Sequence, residues 1–235
     1  MGLNEYKKKR DFDKTAEPAG KVAPTKPAKH LLYVIQKHRA TSLHYDFRLE
    51  WKGVLLSWAV PKGPSLDPGT KRLAMQVEDH PVEYASFEGV IPEGEYGGGT
   101  VMVWDTGTWT PESPDVDAAL ATGDFKFTLH GKKLKGSWVL VRTRGFGGKP
   151  SWLLIKHRDE YASDVDVTTQ EPKSIVSGRL LAQIAEEGGG DVAKAATGDP
   201  APKVARKAAP KAAGGKPGAS KTGSASRKKA KAASR

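Results

Sequence analysis

From Leu31 to Lys156 the chain is a series of eight short strand-like runs, at 31–36, 43–51, 53–60, 72–78, 99–104, 124–130, 137–143 and 151–156. Turn residues punctuate them: Lys52-Gly53, "PKGPSLDPGT", "EYGGG", His130-Gly131 and "RGFGGKP". So many short strands with so few helices predict a mainly β fold, a compact antiparallel barrel or sandwich. Two short helices interrupt it. "SPDVDAALATG" reads as one, with Ser113 as N-cap, Pro114 at the first helical position and Gly123 just past the end. A second is expected from about Ser177 to Glu187, stopped by Gly188-Gly189-Gly190. The apolar strands carry Trp58, Trp104, Trp138 and Trp152, which read as core.

The two ends differ from this middle. Residues 200–235 hold eleven Lys or Arg and no acid, and residues 1–30 hold eight basic and four acidic groups. Of the formal charge of +11, the segment 31–199 therefore contributes −4. Basic ends on a slightly acidic middle point to a polyanionic partner, most simply nucleic acid. Residues 1–30 read as a largely extended polar arm, 31–187 as the folded domain, and 188–235 as a disordered basic tail with almost nothing to bury. There is no cysteine, which excludes disulfides and thiolate chemistry. No apolar run is long enough to span a bilayer, and the N-terminus lacks signal-peptide and myristoylation patterns. A cytoplasmic monomer is the expectation.

The chemistry concentrates in "QKHRATSLHYDFRLEWKG", residues 36–53. From His44 the chain alternates strictly: His44, Asp46, Arg48 and Glu50 share one strand face, and Tyr45, Phe47, Leu49 and Trp51 share the other. A solvated face favours Lys, Thr, Ser and Gln rather than His-x-Asp-x-Arg. His44 and Asp46 are spaced to chelate one divalent metal, and His38 could bend back across "RATS" to complete the set. Two nitrogens and one carboxylate suit manganese, iron, zinc or nickel alike. Arg48 on the same face suits an anionic substrate bridging cation and metal. "VEDHP" places His80 at a strand end, with Lys62 and Arg72 flanking that region in sequence. His130 and His157 lack a carboxylate at chelating spacing and read as structural. "EGEYGGGTVMVWD" lacks the lysine and helix of a phosphate loop and reads as a hairpin or bulge.

"YKKKRDFDKTAEP", "VIQKHRATSLHYDFRLEWKGVLLSWAVPKGPSLDP", "KRLAMQVEDHPVEYASFEGVIPEGEYGGGTVMVWD" and "KFTLHGKKLKGSWVLVR" together resemble the 3′-phosphoesterase domain of bacterial DNA ligase D, a family that includes stand-alone members. The resemblance implies a compact β-barrel with its site on a polar, concave side, using manganese or another divalent metal. The implied activity trims DNA 3′ ends during end joining: a terminal ribonucleoside is removed to leave a 3′-phosphate, which is then removed in turn. It makes His38, His44 and Asp46 metal ligands. Arg48 and His80 would hold the scissile phosphate with Tyr84 close by, and Lys62 and Arg72 would handle substrate phosphate. Arg10, Asp11, Glu17 and Glu78 match further functional positions, so the N-terminal arm is expected to fold over the site. DNA ligase and the end-binding Ku protein are the implied partners in trans, at the nucleoid. Two rivals remain open: a non-haem iron barrel oxygenase, with His130 or His157 as third ligand, and a non-catalytic module that binds DNA ends.

Overall fold

The computed structural model describes residues 2–24, 31–145 and 151–201. Nine strands occupy them: β1 (Leu31–Arg39), β2 (Leu43–Trp51), β3 (Val54–Val60), β4 (Arg72–Pro81), β5 (Gly89–Ile91), β6 (Gly99–Pro111), β7 (Asp124–Gly131), β8 (Lys135–Arg142) and β9 (Ser151–Lys156). All pairings are antiparallel, in the order β1-β2-β3-β4-β9-β8-β7-β6, and β6 pairs back onto β1. Eight strands thus close a barrel, as the spacing of runs predicts. Strand β5 is an addition, paired with the first residues of β6.

Alternation decides what fills the barrel. Tyr45, Phe47 and Leu49 of β2 turn inward with Tyr33, Ile35, Trp58, Phe125, Phe127 and Trp138 into one core. The four tryptophans read as core are buried there, between 0% and 2% exposed. Each large apolar side chain removed from water contributes roughly 1.5–3 kcal/mol, so this lumen dominates the stability. Lys52 and Gly53 join β2 to β3 with φ of 49° and 78°. Positive φ at both positions matches the right-handed twist of the flanking strands, which is why so short a turn serves.

Four expectations need correction. The helix α2 (Val116–Thr122) is capped by Asp115, whose carboxylate accepts from Ala118 N at 3.0 Å, and not by Ser113. The second expected helix starts later, as α4 (Leu181–Glu187), and a one-turn helix α3 (Val167–Gln170) precedes it.

The region after Gly188 is not featureless. Helix α5 (Val192–Ala196) buries Ala195, and Asp199 accepts from Leu181 N at 3.0 Å and Ala182 N at 2.9 Å. That carboxylate satisfies the helix start, where the Leu180 N-cap has no polar side chain to offer. The packed unit runs from Met1 to Ala201. Most of the basic tail, from residue 202 onward, lies outside the described residues, as does His30.

The arm, last, is not simply extended. Helix α1 (Asn4–Lys8) opens it, Asp11 closes a turn with Lys14 and Thr15, and Tyr6 is completely buried. Tyr6 joins Val34, Leu55, Tyr84 and Val103 in a second apolar cluster, and its hydroxyl donates to Pro18 O at 2.6 Å. Few apolar side chains, chiefly Leu3 and Tyr6 with Phe12 packed beside Tyr6, do this anchoring amid many charges, so composition alone hides it. Deleting residues 2–17 is therefore expected to lower thermal stability as well as activity. Tyr6→Ala alone is expected to cost about 3 kcal/mol, measured by denaturant unfolding. A truncated chain with an unchanged midpoint would show the arm to be a mere cover.

Candidate active site

The outward face of β1, β2, β3 and β4 is polar where the inward face is aromatic. Cross-strand register stacks its members: His38 opposite His44, Gln36 opposite Asp46, Arg48 opposite Ser57, and Leu55 opposite His80. Strand β1 runs on to Arg39, and the three-residue connection through Ser42 returns the chain. His38 therefore meets His44 across a ladder, with ring centroids 4.8 Å apart, and no bending back is needed. His80 reaches the same face through a register shift in β4 between the partners of Leu55 and Ser57. Such a bulge re-aims a side chain, which simple alternation along β4 could not foretell.

His38 Nδ1 lies 3.6 Å and His44 Nε2 3.7 Å from Asp46 Oδ2. The three ligand atoms fall within 4.8 Å of one another. The outer nitrogens are occupied: His38 Nε2 donates to Gly97 O at 2.8 Å, and His44 Nδ1 donates to Ser42 O at 3.0 Å. Carbonyls only accept, so the outer nitrogens carry protons, and in the neutral ring each inner nitrogen is the one free to ligate, the tautomer a metal requires. The donor set thus fits a first-row divalent ion. Burial opposes charge on His44, but the Asp46 carboxylate outweighs it and raises the imidazole pKa. Burial likewise opposes charge on Asp46, yet Arg48 and the two imidazoles hold its carboxyl well below the usual range.

Arg48 is 2% exposed and fixed on three sides: Nε donates to Gln36 at 2.8 Å, Nη1 to Ser57 at 2.8 Å, and Nη2 pairs with Asp46 at 3.1 Å. Its guanidinium lies 5.0 Å from the Tyr84 ring centroid. Arg10 comes from the arm. It donates to Glu17 at 2.9 Å, to Glu78 at 3.3 Å and to His80 Nε2 at 3.2 Å. A guanidinium cannot accept, so His80 Nε2 is the acceptor, and Nδ1–H donates to Glu78 O at 2.8 Å. Burial first, then Arg48 and Arg10, push the His80 pKa well below that of an ordinary histidine. His80 is neutral in this state. Tyr84 donates its hydroxyl to Glu17 at 2.9 Å, and burial followed by Glu17 raises its pKa well above the usual phenol.

A cavity of about 320 Å³ opens onto these groups. It is lined by Arg10, His38, His44, Asp46, Arg48, Glu78, His80 and Tyr84, eight residues that the sequence scatters over 75 positions. Glu17 does not line it but, 4% exposed, ties Arg10 to Tyr84 from behind. Asp11 pairs with Lys14 at 2.9 Å with its side chain 43% exposed, away from the lining. Lys62 is exposed in the turn after β3, and Arg72 opens β4; neither lines the cavity. Sequence reasoning missed Gln36 and Ser57, which hold Arg48, and Tyr96 and Gly97 from the glycine cluster. The shared parity of Gln36 and His38 on β1 was an available signal. His130 contacts Thr110 and His157 contacts Ser137, so neither joins the two histidines and Asp46, as an oxygenase site built on them would need.

Residues 36–142 match the family model of the DNA ligase D 3′-phosphoesterase domain. The barrel belongs to that family. In curated proteins, a multifunctional non-homologous end joining protein LigD from Pseudomonas aeruginosa is 52% identical over 183 residues, 76% of this chain and 22% of the relative. The corresponding DNA repair protein of Mycobacterium tuberculosis is 46% identical over 143 residues, 61% of this chain and 18% of the relative. That of Mycolicibacterium smegmatis is 42% identical over 163 residues, 67% and 21%. The chain spans about a fifth of the length of the curated relatives it matches. Among the described residues of this phosphoesterase-family chain, no helix is long and apolar enough to cross a membrane.

Proposed function

We propose that the chain is a metal-dependent hydrolase of DNA 3′ ends, acting first as a phosphodiesterase on a terminal ribonucleoside and then as a phosphomonoesterase on the exposed 3′-phosphate. The observation that carries this is the convergence, in one buried cavity, of a three-ligand cluster with a rigidly held arginine. Manganese is the metal we assign, held by His38, His44 and Asp46. When bound, such an ion polarises a phosphoryl oxygen and lowers the pKa of water.

The protein's own groups do the rest. Three of the five N–H donors of Arg48 are engaged by Gln36, Ser57 and Asp46, which leaves two to grip phosphate oxygens as a fork. Positioned donors of this kind act where charge accumulates in the transition state. Arg10 donates to His80 as well as to Glu17 and Glu78, and an arriving phosphate would draw Arg10 and His80 toward it. Its negative charge would offset the two guanidiniums that, after burial, keep His80 neutral, allowing Nε2 to carry a proton toward the leaving oxygen. Tyr84 would sit beside that phosphate, with Glu17 holding its hydroxyl and Glu78 aligning Arg10. Lys62 and Arg72, outside the cavity, would serve more remote phosphates. Residues 31–187 would form the catalytic barrel with 1–30 as its cover, and the basic tail would hold the DNA backbone. Service in end joining rests on the relatives' names, and partnership with a ligase and Ku in trans rests on the resemblance alone.

The test is a duplex primer-template carrying a 3′-terminal ribonucleotide, or a 3′-phosphate, incubated with manganese or with chelator. Sequential appearance of 3′-phosphate and 3′-hydroxyl ends in manganese only is the expected result. Binding of the ends without turnover would favour the non-catalytic module.

A further inference from the structure

Tyr96 stands at the mouth of the same cavity with 48% of its surface exposed, a large aromatic ring left open beside otherwise buried groups. It lies on the connection between β5 and β6, where Gly97 takes a φ of 82°. That left-handed step lets Tyr96 and the Gly97 carbonyl face one cavity, the carbonyl meeting His38 at 2.8 Å. The backbone that carries the ring is therefore tied to the cluster of His38, His44 and Asp46. Two cations attend it: Lys9 Nζ lies 4.8 Å and the Arg10 guanidinium 5.5 Å from its centroid. Arg10 in turn touches His80 at 3.2 Å, so a single guanidinium separates the ring from the group we assign to the phosphate.

We infer that Tyr96 is a stacking platform for the outermost base of the 3′ end, the base of the nucleoside that departs in the phosphodiesterase step. This rests on the proposed function above. A base inside a duplex is covered on both faces by its neighbours, whereas the terminal base has one free face. A base stands off its phosphate by one ribose, and here the rim ring stands off His80, which we assign to the phosphate, by the Arg10 side chain. Every base has a π face, so an aromatic platform accepts any terminal nucleoside without reading sequence. Once that nucleoside has left, the 3′-phosphate remaining has no base on the departing side, and the ring has no partner. Tyr96 is thus a positioning residue for the first step and not for the second.

The experiment compares wild type, Tyr96→Ala, Tyr96→Phe and Tyr96→Trp in manganese on two duplexes. One ends in a 2-aminopurine ribonucleoside and the other in a 3′-phosphate. Loss of one stacking contact is expected to raise KM on the nucleoside end about tenfold, well beyond any change on the 3′-phosphate end. Phe and Trp are expected to restore it. Stopped-flow mixing should show 2-aminopurine quenching before turnover with wild type, Phe and Trp, and not with Ala. An equal loss on both duplexes, full quenching with Ala, or a Phe variant as impaired as Ala overturns the inference. A wild-type enzyme that releases no phosphate from the second duplex overturns instead the function on which it rests.

Discussion

His44→Ala and Asp46→Ala are each expected to abolish both activities, lowering turnover by roughly 10³-fold or more, since the several kcal/mol supplied by a bound ion are lost with its ligands. The fold should survive. The His44 side chain is 23% exposed and lies on the outer wall, apart from the aromatic lumen. Its removal leaves no buried donor orphaned, so the change in unfolding free energy should stay near 1 kcal/mol. Asp46 differs in one respect: its loss leaves Arg48, 2% exposed, without its carboxylate. That variant should be the less stable of the two. Phosphate-release assays with parallel denaturant titrations read both quantities. Near wild-type turnover of His44→Ala would contradict the assignment of the cluster.

Arg48→Lys should be nearly as damaging although charge is kept. A single ammonium cannot meet Gln36, Ser57 and Asp46 at their present positions and still present two donors to a phosphate. Removal of a positioned transition-state donor typically costs on the order of 10²-fold in turnover, and a loss of that size is expected here. Lys62→Arg, in an exposed turn outside the cavity, should stay within about twofold, as surface changes generally do. Rates for the two variants under saturating manganese give the comparison. Equal tolerance would reduce Arg48 to a structural ion-pair partner of Asp46.

What the sequence made legible was whatever a period of two can carry. The alternation from His44 to Trp51 separates an inner aromatic face from an outer ionisable one, and both faces are where it places them. The reach of the neighbours was harder to read. His38 lies beyond the apolar run of β1, and only the register of the β1–β2 hairpin shows that it stands opposite His44. His80 depends on a bulge, a one-residue event without a compositional mark. Arg10 and Glu17 sit in a segment whose charges suggest a free arm. Their burial follows from Tyr6 anchoring that segment on the wall. The glycine cluster forms the hairpin connection between β5 and β6 that its residues suggest, but its part in orienting His38 through a backbone carbonyl has no side-chain signature at all. The stretch beyond Gly188 was misjudged for a similar reason. One carboxylate, Asp199, secures it by capping a helix far from it in sequence.

The central claim is that His38, His44 and Asp46 form a metal site, and titration of the metal-free protein with manganese tests it most directly. Calorimetry, or the loss of the free-ion paramagnetic resonance signal, should show about one ion bound per wild-type chain without any DNA present. Binding should vanish in His44→Ala and in Asp46→Ala while Tyr96→Ala binds as wild type does. Unaltered manganese binding by both ligand variants, or none by the wild type, would contradict it.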